Sequence, residues 1–244
     1  MQISETVEQQ LPYLRRYARA VTGVAMQGDL AVETMLEHLL SSLPETVTRV
    51  SLFQALEQTL SAPKAWSSAS IPASPAGRRA LLLTVMEGFN PADAARILGV
   101  TEPALADLID ASGNDLSTPH SASIFIIEDE PLIVASLSQI ITSLGHTVAG
   151  IASTHRQAVE AILQAKPDLI LADIQLSDGS QGTEAVAEVR QQINVPAIFI
   201  TAFPERLLTG RDGEPTFLVP KPFRPSQVKT LISQALFIRS LKIS

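Results

Sequence analysis

IFIIEDE (residues 124–130), DLILADI (168–174), AIFITAF (197–203) and FLVPKPF (217–223) share one pattern: a short apolar run that ends in a polar residue. Apolar runs of four to eight residues suit strands buried on both faces, as in a parallel sheet covered by helices. In an open parallel sheet the carboxyl ends of the strands form the binding crevice. The pattern therefore predicts that Glu128, Asp129, Asp173, Thr201 and Lys221 converge at one sheet edge.

Three carboxylates, a hydroxyl and an ammonium suit phosphoryl transfer to a carboxylate. Gathered carboxylates favour a hard cation such as Mg²⁺, and a lysine suits a phosphoryl oxygen. An aspartate can act as nucleophile, provided a metal ion screens the charge of the incoming group. In this reading Glu128 and Asp129 hold the ion and Asp173, ending the central strand, is the acceptor. Thr201 hydrogen-bonds one phosphoryl oxygen and Lys221 pairs with another.

At these residues the second half resembles a two-component receiver domain. The acidic pair, the strand-end Asp173, Thr201 a strand later and Lys221-Pro222 stand in that family's order. The resemblance implies a doubly wound, flavodoxin-like α/β fold and a cis Lys221-Pro222 bond. It implies Mg²⁺ bound by Glu128, Asp129, Asp173 and the backbone carbonyl of Gln175. It also implies a sensor histidine kinase or phosphotransfer protein as phosphodonor. Leu218 stands where receivers usually carry a switch aromatic. Phe203, two residues after Thr201, is either the moving partner of that threonine or a packing aromatic opening the next helix. Asp178, in the loop after the acceptor, is expected to face solvent without a chemical role. Gln175 also stands where haloacid-type phosphatases carry a second catalytic Asp, so enzymatic turnover is not expected.

A chain of 244 residues accommodates two domains. The absence of cysteine excludes disulfides and thiolate metal sites. The opening MQISETVEQQ is polar and unlike a signal peptide, and no apolar run reaches membrane-spanning length, so a cytoplasmic protein is expected. Net charge is −7, and most of the excess lies in residues 1–118. An acidic first half is a poor start for binding nucleic acid phosphates.

That first half reads as helices. Over 5–22, Leu11, Leu14, Tyr17, Ala18 and Val21 recur at helical steps, with Arg15, Arg16 and Arg19 expected largely on the solvent face. A second helix is expected over 29–42, capped by Asp29 and stopped by Pro44. A third is expected over 51–60, capped by Ser51. The Ala/Ser/Pro-rich SAPKAWSSASIPASPAG (61–77) is a linker by composition, and its Trp66 is either an exposed aromatic or an inter-domain anchor. Helices over 77–89, 91–98 and 102–111, with Gly99 between the last two, make a helix-turn-helix.

The latter region resembles region 4 of extracytoplasmic-function sigma factors. Residues 8–43 resemble their region 2, most clearly in LPYLRRYARA (11–20). An all-α sigma-factor-like domain followed by a receiver is the arrangement of the PhyR family of response regulators. The expected limits are 1–112 for the sigma-like domain, 113–122 for a linker and 123–244 for the receiver. Within the first, 1–43 is region 2-like, 44–75 linker and helix, and 76–112 region 4-like. Residues 102–111 carry Glu102, Asp107 and Asp110 and no base, which argues against DNA readout. The resemblance implies instead an anti-anti-sigma factor of a general stress response. Phosphorylation of Asp173 would free the sigma-like domain to sequester a NepR-type anti-sigma factor, with no direct DNA or membrane contact. A receiver-gated, DNA-binding regulator is the alternative.

Overall fold

Helices make up the first half of the chain, and strands alternate with helices in the second. The structure, a computed structural model, describes residues 3–42, 46–62, 75–115, 121–204, 207 and 214–243. Pro44, Trp66, much of the expected linker and most of the segment after Pro204 lie outside these residues. The chain separates into two compact units, one of Met1–Asp115 with Glu205–Thr216, the other of Leu116–Pro204 with Phe217–Ser244.

In the first unit, α1 spans Ile3–Thr22, α2 Ala25–Ser42 and α3 Arg49–Ser61. Leu14, Tyr17, Ala18 and Val21 of α1 are buried, as their spacing requires. Its arginines are not a solvated face. Arg16 and Arg19 are themselves buried, and each is matched by a carboxylate. Asp29 does not cap α2; it lies inside that helix and accepts from Arg15 and Arg19 of α1. The N-cap of α3 is Thr48. Ser51, the expected cap, is its third residue and completes a capping box in which each side chain serves the other's backbone.

The helix expected over 77–89 is shorter and changes type. α4 covers Ala76–Leu81, and the chain then widens into a π-helical turn over Leu82–Met86. Glu87 N donates to Leu82 O and Phe89 N to Leu83 O, both at 3.0 Å. Such turns are rare and mostly single, and the residue that follows this one is Glu87. Its carboxylate, with no solvent exposure, accepts two bonds from Arg16 at 3.0 Å and lies 3.5 Å from Arg49. A second buried set joins Tyr17 to Glu57 at 2.7 Å and Arg79 to Glu57 at 2.6 Å. Burial pushes the Glu57 carboxyl up, with Arg79 opposing, and raises the Tyr17 phenol further. Arg78 donates to the carbonyls of Ala20 and Val21 at the end of α1, and burial lowers its pKa to about 10.

α5 (Pro91–Leu98) and α6 (Glu102–Asp115) complete the helix-turn-helix. Asn90 caps α5 by accepting from Asp93 N, and Gly99 ends it at φ 68°, a conformation that suits glycine. Glu102, Asp107 and Asp110 are all exposed on α6.

The second unit is a five-stranded parallel sheet in the order β2-β1-β3-β4-β5, the flavodoxin-like order. Its strands are β1 (Ser123–Ile127), β2 (Thr147–Ala152), β3 (Leu169–Asp173), β4 (Ala197–Thr201) and β5 (Phe217–Pro220). The helices are α7 (Pro131–Ser143), α8 (His155–Ala165), α9 (Gly182–Arg190) and α10 (Pro225–Ile243). β3 and β4 are buried along their whole length, which explains their unbroken apolar runs. Leu137 and Ile141 of α7, Val186 and Val189 of α9, and Val228 and Leu231 of α10 complete the core. Each such side chain contributes about 1.5–3 kcal/mol by leaving water.

Candidate functional site at the carboxyl edge of the sheet

Register brings the polar strand ends together. Ile127 pairs with Ala172, Asp173 with Ile200, and Thr201 with Pro220. Glu128 therefore leaves β1, Asp173 and Thr201 close β3 and β4, and Lys221 follows β5 at the same edge. Lys221 N donates to Thr201 O at 2.7 Å, and the Lys221-Pro222 bond is cis.

The Lys221 ammonium joins the acids. Nζ donates to Asp173 Oδ2 at 2.7 Å, to Glu128 Oε2 at 2.9 Å and to Glu130 Oε1 at 3.4 Å. Burial acts to lower the lysine pKa, but the bonds to Asp173 and Glu128 outweigh it and push it up to about 12. Burial pushes the Glu128 carboxyl up, and Lys221 only partly offsets this. The other oxygen of Asp173, Oδ1, accepts from the amides of Ile174 and Gln175.

The remaining expected residues are nearby, each with its own contacts. Thr201 is buried, and its Oγ1 accepts from Phe203 N at 3.0 Å, so the threonine holds the chain that leads to the half-exposed Phe203. Gln175 sits at an antiparallel bridge with Gln181 that closes the loop after β3. Asp129 points to that loop, accepting from Ser177 N at 3.1 Å. Asp178 is exposed and accepts from Ser180.

The structure brings two further residues to the site, Glu130 and Gly182. Among the described residues, the acids able to hold one metal ion are Glu128, Glu130 and Asp173, whose ligand atoms all lie within 4.8 Å of one another. Glu130 is thus as close to the centre as Asp129 was expected to be; the run Glu128-Asp129-Glu130 was the available signal, but not its rotation. Gly182 opens α9 against the Asp173 backbone, and a Cβ there would collide with the Asp173 carbonyl oxygen. The lone glycine at a helix start was its only mark.

Chemically, the arrangement offers a carboxylate nucleophile, an ammonium beside it and hard oxygen donors that fit Mg²⁺. No helix among the described residues is long and apolar enough to cross a membrane.

Known proteins resemble this chain along its whole length. The model of the response regulator receiver domain matches residues 124–233. The sigma2 domain of PhyR matches 7–57, and the PhyR sigma-like domain matches 72–118. The phyllosphere-induced regulator PhyR of Methylorubrum extorquens is 43% identical over 98% of this chain and 96% of its own. The crystal structure of PhyR from Brucella abortus superposes with TM-score 0.87 at 42% identity, covering 100% of this chain and 97% of that one. The anti-anti-sigma factor PhyR from Bartonella quintana gives TM-score 0.87 at 43% identity, covering 99% and 98%. With an all-α sigma-like region ahead of a flavodoxin-like receiver, and this similarity along its whole length, the chain belongs to the PhyR family of response regulators.

Proposed function

We propose that this chain is a phosphorylation-gated anti-anti-sigma factor whose acceptor is Asp173. The observation that carries the reading is the Asp173–Lys221–Glu128 cluster at the strand ends. An oxygen of Asp173 attacks phosphorus, the P–N bond of a kinase or phosphotransfer phosphohistidine breaks, and an acyl phosphate forms. Mg²⁺, held by Glu128, Asp129, Asp173 and the Gln175 carbonyl, would screen the negative charge of the phosphoryl group. Lys221 pairs with one phosphoryl oxygen. Thr201 turns its hydroxyl to another, which alters its hold on Phe203 N.

The output follows from the helical unit. Its acidic, exposed α6 is suited to a protein rather than to DNA phosphates, which disfavours the DNA-binding alternative. The PhyR of Bartonella quintana has been crystallised with the anti-sigma factor NepR, and a NepR-type protein is the proposed partner here. Phosphorylation acts as a population shift toward the binding-competent state, so it must favour that state over the resting one. Residues 1–112 are the proposed sigma-like domain, 113–122 the linker and 123–244 the receiver.

Calorimetric titration of the NepR-type partner into the full chain tests this, with and without Mg²⁺ and beryllofluoride, beside Asp173→Ala. Tight binding is expected only in the activated wild type. Equal binding in every state would remove the gate, and no binding would remove the partner.

A further inference from the structure

Glu130 is the most exposed acid at this site. It occupies the N-cap position of α7, just before Pro131, with extended backbone (φ −84°, ψ 111°), yet its side chain does not cap the helix. N-cap side chains ordinarily accept from the first turn. This one reaches Lys221 Nζ at 3.4 Å instead, while its own amide donates to Glu128 Oε1 at 3.2 Å. Its backbone is therefore tied to the inner carboxylate and its side chain to the ammonium.

The three carboxylates around Lys221 differ in freedom. The Glu128 side chain is 1% exposed and that of Asp173 10%, whereas that of Glu130 is 63% exposed. Glu128, Glu130 and Asp173 could all reach one ion, but the two enclosed acids give up less side-chain freedom in holding it, so a divalent cation would take them first. A cation and the Lys221 ammonium thus compete for the same oxygens of Glu128 and Asp173. An ammonium released from both needs another anion nearby, since separating it from all counter-charge is costly in a partly buried site. Asp129 is directed to Ser177 N, which leaves Glu130.

We propose that Glu130 is a positioning residue that holds the Lys221 ammonium at the rim of the site when a divalent cation occupies Glu128 and Asp173. Glu130 lowers the cost of admitting the cation and keeps the ammonium beside the incoming phosphoryl group. The inference rests on the metal-assisted reading above and specifies how that site accommodates two cations at once.

The test is isothermal titration of Mg²⁺ into the full chain, with heat unfolding alongside. Glu130→Gln is expected to weaken Mg²⁺ binding about fivefold, the upper range for one exposed ion pair, with little change in unfolding temperature. Glu130→Asp should recover part of the loss. Glu160→Gln removes the same charge from an exposed position on α8 and should change nothing. In a Lys221→Met background the Glu130→Gln effect should vanish. Unchanged affinity in Glu130→Gln, or an equal loss in Glu160→Gln, overturns the proposal; these single variants decide even if Lys221→Met does not fold. A loss that persists without Lys221 overturns it too, because Glu130 would then act directly on the ion. Wild type that binds no Mg²⁺ would sink the metal-assisted reading itself, a distinguishable result.

Discussion

Both units of this chain place basic side chains against carboxylates, but to different ends. In the helical unit the carboxylate of Glu87 is sealed from solvent and held by Arg16 and Arg49, while Asp29 is held by Arg15 and Arg19. In the receiver unit one ammonium, Lys221, faces Glu128, Glu130 and Asp173 at an edge where one of the three acids is largely exposed. Bases match or outnumber acids in the first case, and acids outnumber the base in the second. A matched, enclosed network resists change, whereas an anion-rich, open one can accept a cation. The same ion-pair chemistry thus fixes architecture in one unit and leaves chemistry to be completed in the other.

The sharpest way to break this comparison is Glu87→Ala. Removing the shared partner of two arginines from an enclosed site is expected to cost about 3–5 kcal/mol, read from urea unfolding of the full chain. A loss below the scatter of the measurement would show that the enclosed network is not architectural. Gly182→Ala probes the other unit. The added methyl must displace α9 from the Asp173 carbonyl, and overpacking of this kind costs about 1–3 kcal/mol. Phosphoryl uptake from acetyl phosphate should slow together with the fall in stability. Stability lost at an unchanged uptake rate would mean that Asp173 tolerates movement of its neighbours.

The smallest effect concerns Asp29. Burial alone would raise its pKa, but the bonds from Arg19 and Arg15 prevail and hold it below the ordinary carboxylate value. A depressed folded pKa contributes stability that is complete above the unfolded value, about 3.9, and lost as pH falls through the lower folded one. Asp29→Asn is therefore expected to cost about 0.5–1 kcal/mol near neutrality for this partly exposed group. Its stability should converge on that of wild type as pH falls through the lowered folded pKa. Parallel curves across the whole range would assign the loss to packing rather than charge.

Much of the receiver was legible because strand periodicity and sheet register are local rules. A run such as LILAD, short and apolar up to its last residue, suits a two-sided strand, and that last residue then falls at the carboxyl edge. The rotation of Glu130 rather than Asp129 toward Lys221 was not legible, because it depends on how the chain turns from β1 into α7. In the helical unit the pattern located α1, α5 and α6, yet misjudged the arginines. Amphipathic reasoning sends charge to solvent, and only tertiary structure reveals that Glu87 waits for Arg16 seventy-one residues away. The π turn that precedes Glu87 left no mark in apolar spacing, and the cap of α3 is Thr48, three residues ahead of the expected Ser51.

Arg78 has a last consequence. Its guanidinium grips the final carbonyls of α1, while Arg79 reaches Glu57 on α3 and Glu87 reaches Arg16. Every one of these bonds joins residues 3–62 to residues 75–115. Two co-expressed fragments, one ending at residue 62 and the other carrying the rest of the chain, should find each other and co-purify as a complemented pair.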